Sequence, residues 1–187
     1  MRLISLSLAL LVSVTFGAPA FAKTTATFDR GSVHVVTSDD PKRIDWDVVV
    51  PASLDAVWDA FTTQAGMTSW IAPGATVDLR GGGDWLVNFP GAAPGGGTIV
   101  IYQPKTLLAI RAMAPESFPT VRRERTLAVF TFTAQSANST DVHLAQTGWQ
   151  EGDEWTRAYA YLTNGNAQLL GLLYRRFTSG PIDWSKM

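Results

Sequence analysis

The chain has 187 residues, with 15 Lys and Arg against 16 Asp and Glu, and no Cys. The near-neutral balance, with no basic stripe along any segment, argues against a nucleic-acid surface, and the absence of thiols excludes disulfides and thiolate chemistry. His34 and His143 are the only imidazoles and no HxxxH or HxxE spacing occurs, so neither a metal site nor a cofactor is expected.

The N-terminus reads as an export leader. Arg2 precedes an apolar run from Leu3 to Phe16, and Ala20-Phe21-Ala22 forms an A-x-A site before Lys23. Cleavage after Ala22 is expected, with a periplasmic location if the host is Gram-negative. The run is short for a membrane span of about 20 apolar residues. The mature chain from Lys23 onward is long enough for one domain with its own core. Residues 23–42 read as an extension that includes one possible extra strand, and 43–187 as the domain.

"RIDWDVVV" alternates, with Ile44, Trp46, Val48 and Val50 on one face, the mark of a half-buried strand. "SVHVVT" ahead of it reads as a shorter strand, turned by Ser38–Pro41. After Pro51, Ser53 is a good N-cap and Asp55 suits the first turn of a helix. Leu54, Val57, Trp58 and Phe61 then make one apolar stripe. A second short helix is expected over Gln64–Trp70.

Strands come next in close succession. "ATVDL" and "DWLVNF" flank the turn Arg80–Gly83, and Trp85, Val87 and Phe89 share a face. Pro90–Gly97 reads as a flexible loop without the Lys of a phosphate-binding loop. "TIVIYQ" and "LLAIRAM" come after it, then the charged connection "APESFPTVRRER", read as solvated loop or edge. "TLAVFTFTA" and "DVHLAQTGW" form a last hairpin. A long helix is expected from about Asp153 to Phe177, acidic at its start and ending in Arg175 and Arg176. At 1.5 Å per residue it would run roughly 35–40 Å. Its stripe Trp155, Tyr159, Leu162, Asn166, Leu169 and Leu173 is apolar except at Asn166. Gly165 and Gly171 suggest a bend or a close backbone approach. The order of elements gives an α+β fold: an antiparallel sheet with helices on one side, two of them short and placed after the first core strand.

Four segments carry a family resemblance: Val50-Pro51-Ala52-Ser53 with Val57, Trp58 and Phe61; Trp70-Ile71; "VDLRGGGDW" at 77–85; and "LAQTGW" at 144–149. Together, in this order, they resemble the START-like, or SRPBCC, helix-grip superfamily. Within it they resemble the branch of homologues of the heat-shock-protein-90 ATPase activator. The resemblance covers about Ile44 to Phe177. It implies a curved antiparallel sheet wrapped around the long C-terminal helix, with a cavity between them. Members bind lipids, steroids, polyketides or other apolar molecules, and some are cyclases or hydrolases. Chaperone activation needs a cytosolic, ATP-driven partner, and the export leader argues against it.

The expected function is therefore binding of a small apolar or amphipathic ligand by an exported monomer or weak dimer. Inward aromatics from the first strand and the two short helices, Trp46, Trp58, Phe61 and Trp70, are candidate lining. So are Trp85, Val87, Phe89, Ile99 and Ile101 from the middle strands, and Phe130, Phe132, Tyr159 and Leu162 from the last strands and the long helix. Gln146, Asn166 and Arg111 are the candidate polar anchors. The alternative is a cofactor-free cyclase- or hydrolase-like enzyme. For it, a Tyr159–Asn166 or Arg111–Gln146 pair could polarise a carbonyl; against it, the chain has no G-x-S-x-G elbow, and Asp45, Asp47, Asp78, Asp84 and Asp141 fall mostly on outer faces or turns. A third alternative is an interaction module with a solid core. His34 and His143 read as ordinary surface residues.

Overall fold

A computed structural model describes residues 25–186; the leader reading at 1–22 lies outside them. Three strands open the chain, β1 (Thr25–Arg30), β2 (Val33–Asp39) and β3 (Lys42–Val50). Two short helices come next, α1 (Leu54–Thr62) and α2 (Gln64–Thr68). Four strands then run β4 (Gly74–Val77), β5 (Asp84–Asn88), β6 (Gly95–Gln103) and β7 (Leu107–Ala112). Helix α3 (Pro119–Glu124) precedes β8 (Thr126–Ser136) and β9 (Ser139–Thr147), and α4 (Asp153–Ser179) ends the fold.

The strands form one nine-stranded sheet in the order β1-β2-β3-β9-β8-β7-β6-β5-β4, and every neighbouring pair is antiparallel. The chain makes a meander β1–β3, crosses by α1 and α2 to the far edge, and returns strand by strand. β9 closes the sheet on β3, with Trp46 opposite Leu144 and Val48 opposite Val142. This is the helix-grip arrangement. Residues 25–39 are integral strands of the sheet, so the N-terminal extension supplies two of the nine.

The tryptophans staple the layers through their indole N–H groups, each of which needs an acceptor once buried. Trp46 donates to the Thr163 carbonyl of α4 at 2.9 Å. Trp70 and Trp85 donate to the Ala60 and Phe61 carbonyls at 2.9 and 2.7 Å, satisfying the end of α1. Phe61 fills the space between Trp70, Phe130 and Phe132, with ring centroids 5.0–5.1 Å apart. Burying each such side chain contributes about 1.5–3 kcal/mol. Ser53 caps α1 as expected, its Oγ accepting from Ala56 N.

Four expectations are corrected. Gly95–Gly97 belong to β6, not to a loop. A Cβ at Gly96 would lie 2.1 Å from the Trp85 carbonyl oxygen, and one at Gly97 2.1 Å from that of Arg111, so only glycine lets these backbones approach. The connection "APESFPTVRRER" contains α3, whose Val121 is buried against Trp155 and Ala158. A bulge between Ile99 and Ile101 shifts the register of β6. It turns Ile101 outward, where it is 59% exposed, and brings Tyr102 back against the core.

The fourth correction concerns α4. Neither glycine is a close approach: a Cβ at Gly165 would meet Tyr161 at an ordinary 3.8 Å, and one at Gly171 would meet nothing within 4 Å. Gly171→Ala is expected to stabilise the fold by about 1 kcal/mol through helix propensity alone. A shift of the urea midpoint to higher concentration with unchanged m value would check this; a loss of stability would reveal a backbone requirement at Gly171.

Candidate functional site

Helix α4 does not lie evenly on the sheet. It packs mainly on β3 and β2, with a smaller contact to β1 and to α3. Two anchors hold it there. One is the Trp46 bond. The other is the Tyr159 hydroxyl, which lies 2.8 Å from the Arg43 carbonyl and 3.3 Å from that of Ser38. The phenol is raised above its ordinary pKa by burial, with the Asp39 charge adding to it, so it remains a donor at neutral pH. Thr163, Ala167 and Leu170 are buried on this side. The neighbouring face of α4 stands off the β5–β8 half of the sheet.

The space left between them is a cavity of about 410 Å³, inside the range of roughly 300–1,000 Å³ typical of small-molecule pockets. On the sheet side Trp85, Val87, Ile110, Ala128, Phe130 and Leu144 line it. On the helix side Leu162, Leu169 and Leu172 do so, with the flat surface of Gly165 between them. Phe89 and Tyr161 also line it and are 45% and 54% exposed, so they mark where it opens.

A short polar chain crosses this apolar space. Asn166 Nδ2 donates to Gln146 Oε1 at 3.0 Å, and Gln146 Nε2 donates to Thr126 Oγ1 at 2.7 Å. Gln146 and Thr126 are 2% and 3% exposed. A buried amide without partners would cost about 1–3 kcal/mol; here the three groups satisfy one another. Gln146 and Asn166 both line the cavity, and Asn166, only partly buried, is the accessible end of the chain. Among the described residues, none of the cavity-lining side chains is Asp, Glu, His, Lys or Arg.

Of the residues expected from sequence to line such a space, Trp85, Val87, Phe89, Phe130, Gln146, Leu162 and Asn166 do. The others point elsewhere, each for a physical reason. Trp46 lies under the other side of α4, and Ile99 is buried in the core away from the cavity. Trp58, Phe61, Trp70 and Phe132 are covered by α1 and α2 and pack on one another. Tyr159 faces the β2–β3 turn. Ile101 is turned out by the bulge, and Arg111 is exposed on the outer sheet face opposite Thr98. Sequence reasoning missed Ile110, Ala128 and Leu144 on the sheet side and Ile71, Met113, Tyr161, Gly165, Gln168, Leu169 and Leu172 around them. Leu172 falls outside the stripe read from the sequence, whose centre is rotated slightly on the real helix.

The C-terminal segment also reaches this end of the molecule. Trp184 donates to the Thr68 carbonyl at 2.7 Å, and its ring meets that of Phe89 edge-on at 6.0 Å.

One charged cluster lies on the opposite face of the sheet. Arg43 forks onto Asp45, its Nε 2.7 and 2.9 Å from the two oxygens. His143 sits between Asp45 and Asp47, 3.2 and 2.7 Å from its two ring nitrogens. Both can donate together only in the imidazolium form. Burial raises the pKa of the adjacent Asp141, with a further contribution from Asp47. His143 is thus the centre of a polar cluster, held between two carboxylates, not an ordinary surface residue. Alternation put it outward, but the facing carboxylates belong to β3 and were not visible from β9. The sheet separates this network from the cavity.

Fold and cavity together define a START-like, helix-grip domain. The model of the family described as "Activator of Hsp90 ATPase homolog 1-like protein" matches residues 51–177, and the chain belongs to that family. No curated protein matches it. Among solved structures it is similar to the Aha1 dimer from Colwellia psychrerythraea, at 19% identity and a TM-score of 0.60, covering 74% of this chain and 97% of that one. Protein MLL2253 from Mesorhizobium loti matches at 16% identity and a TM-score of 0.60, covering 72% and 95%. CalU16 from Micromonospora echinospora matches at 17% identity and a TM-score of 0.55, covering 88% and 87%. At such identities these likenesses speak for the fold alone.

Helix α3 is held against α4 by Glu154, whose Oε1 accepts from the backbone N–H of Thr120 at 2.6 Å and of Val121 at 3.0 Å. Burial pushes this carboxyl upward, but the donated N–H groups outweigh it and hold it below its ordinary pKa. A depressed carboxyl stabilises the fold above its unfolded-state pKa and loses that contribution as pH falls through the folded one. Glu154→Gln is therefore expected to lower the melting temperature at neutral pH, with the difference from wild type vanishing well below the ordinary glutamate range. A constant difference across that range would show that charge at Glu154 plays no part.

Proposed function

We propose that this protein binds a small apolar or amphipathic molecule in the cavity between α4 and the β5–β8 half of the sheet. The observation that carries the reading is the cavity itself: about 410 Å³, apolar, and open at Phe89 and Tyr161. A solid core would bring α4 down onto Trp85 and Phe130. Among the described residues the hydrogen-bonding groups deep inside the cavity are the Gln146 and Asn166 amides, which suits orienting one polar group of a ligand. Acid–base catalysis needs a titratable group within reach of the substrate, and among the described residues the lining offers the Tyr161 phenol at the opening and no other. Binding is thus favoured over a cyclase- or hydrolase-like reaction.

The proposal places the ligand outside the cytoplasm. Arg2, the apolar run to Phe16 and Ala20-Phe21-Ala22 support export with cleavage after Ala22. An exported domain would meet neither ATP nor a cytosolic chaperone, so the activity in the family's description is not carried over to this chain.

Native mass spectrometry of the protein purified gently from its own host tests both parts. The expected spectrum has a mature chain beginning at Lys23 and a non-covalent apolar adduct that is lost on denaturation. Leu162→Trp, which fills the cavity from the α4 side, is expected to abolish the adduct while the circular dichroism spectrum stays native. An adduct retained at full occupancy in that variant would locate binding elsewhere.

A further inference from the structure

We infer that the ligand is an amphiphile with an anionic head, its tail in the apolar cavity and its carboxylate or phosphate on the arginines of α3. The inference rests on the cavity reading above and adds the chemical class of the ligand. Beside the cavity lies a second, shallower concavity lined by Met113, Glu116, Pro119, Arg122, Arg123 and Arg125. Met113 lines both, so the two are contiguous. One is apolar; the other presents three guanidinium groups and a single carboxylate.

The arginines are positioned, and two of them lack a counter-charge. Arg122 donates to the carbonyls of Ala114 at 2.8 Å and Pro94 at 2.7 Å, tying together the β5–β6 and β7–α3 connections. Arg125 donates to the Thr98 hydroxyl at 3.2 Å. Neither forms an ion pair among the described residues. Arg123 is paired only with its neighbour Glu124, at 3.3 Å, and is 69% exposed. Guanidinium forks match carboxylate and phosphate oxygens, so this group is suited to hold an anion.

The backbone adds an independent sign. Arg125 has φ +66° and ψ 147°, a conformation that glycine adopts readily and side chains rarely do. A site that needed only a helix stop would be served by glycine. Here a long cationic side chain occupies that position and lines the same concavity.

This geometry selects the variants. Arg125→Gly suits the backbone and removes one cation; Arg123→Gln removes an exposed one. Arg122 is left intact because it braces two loops. The probe is N-phenyl-1-naphthylamine, a neutral fluorophore for apolar sites, displaced by dodecanoate, dodecyl phosphate or dodecanol. Wild-type protein is expected to bind dodecanoate or dodecyl phosphate at least tenfold more tightly than dodecanol, with a preference that shrinks in high salt. The double variant should lose that preference while its affinity for dodecanol stays unchanged, and its melting temperature should hold.

Three results would overturn the inference in distinguishable ways. Equal binding of the three amphiphiles by wild type would leave the apolar cavity as a site and remove the anionic head. An unchanged preference in the double variant would keep the anionic head but place it away from Arg123 and Arg125, which overturns the assignment to α3. Failure of the neutral fluorophore and of every amphiphile to bind would remove the cavity reading itself, and this inference with it.

Discussion

Everything that makes this fold a container depends on where α4 is pinned. The indole of Trp46 reaches the Thr163 carbonyl and the phenol of Tyr159 reaches the Arg43 carbonyl, both from one half of the sheet. Each bond contributes only about 1 kcal/mol net. Their placement matters more than their strength. They fix the 27-residue helix over β2 and β3, and among the described residues its other face makes no direct hydrogen bond to β5–β8. Tight packing would normally close such a gap, since interiors approach crystal-like density. Here the small side chain of Ala128 and the bare backbone of Gly165 face the gap, while Leu162, Leu169 and Leu172 border it without filling it.

The chemistry of the cavity is set by which polar groups already have partners. Trp85 offers the cavity only its apolar ring, because its N–H serves the end of α1. Gln146 is held by Thr126 behind it, which leaves Asn166 as the accessible end of that polar chain. The result is an apolar chamber with one amide-lined spot inside and guanidinium groups beside it. Arg43, Asp45, Asp47 and His143 on the outer face contact one another across β3 and β9 and lie outside the cavity. Helix α3 joins the two regions: Glu154 holds its start, Val121 buries it, and its last turn carries the arginines.

The architecture was legible in the sequence because it rests on local signals. Alternation in "RIDWDVVV", the Ser53 cap and the 3.6-residue stripe of α1 each specify an element without knowledge of the rest. Inward faces were legible for the same reason. What alternation cannot tell is which element covers an inward residue. Phe130 and Phe132 share one face of β8, yet Phe130 meets the cavity and Phe132 meets Trp58 under α1. Nor can it register an added residue: the bulge at Ile99 and Ile101 inverts everything after it. Helix α3 escaped because six residues carry too little periodicity to read. The polar chain was half legible, with Gln146 and Asn166 flagged by their positions on apolar faces. Their mutual bond depends on a contact twenty residues apart in the chain.

The central claim is that the space beneath α4 is the binding site. The most direct test is a ¹⁵N-resolved titration with N-phenyl-1-naphthylamine that follows side-chain signals. Binding beneath α4 predicts large shifts of the Gln146 and Asn166 amides and of the Trp85 indole, with the Trp46 and Trp70 indoles, buried outside the cavity, nearly unmoved. Saturable shifts confined to other surfaces, with these three signals still, would contradict it.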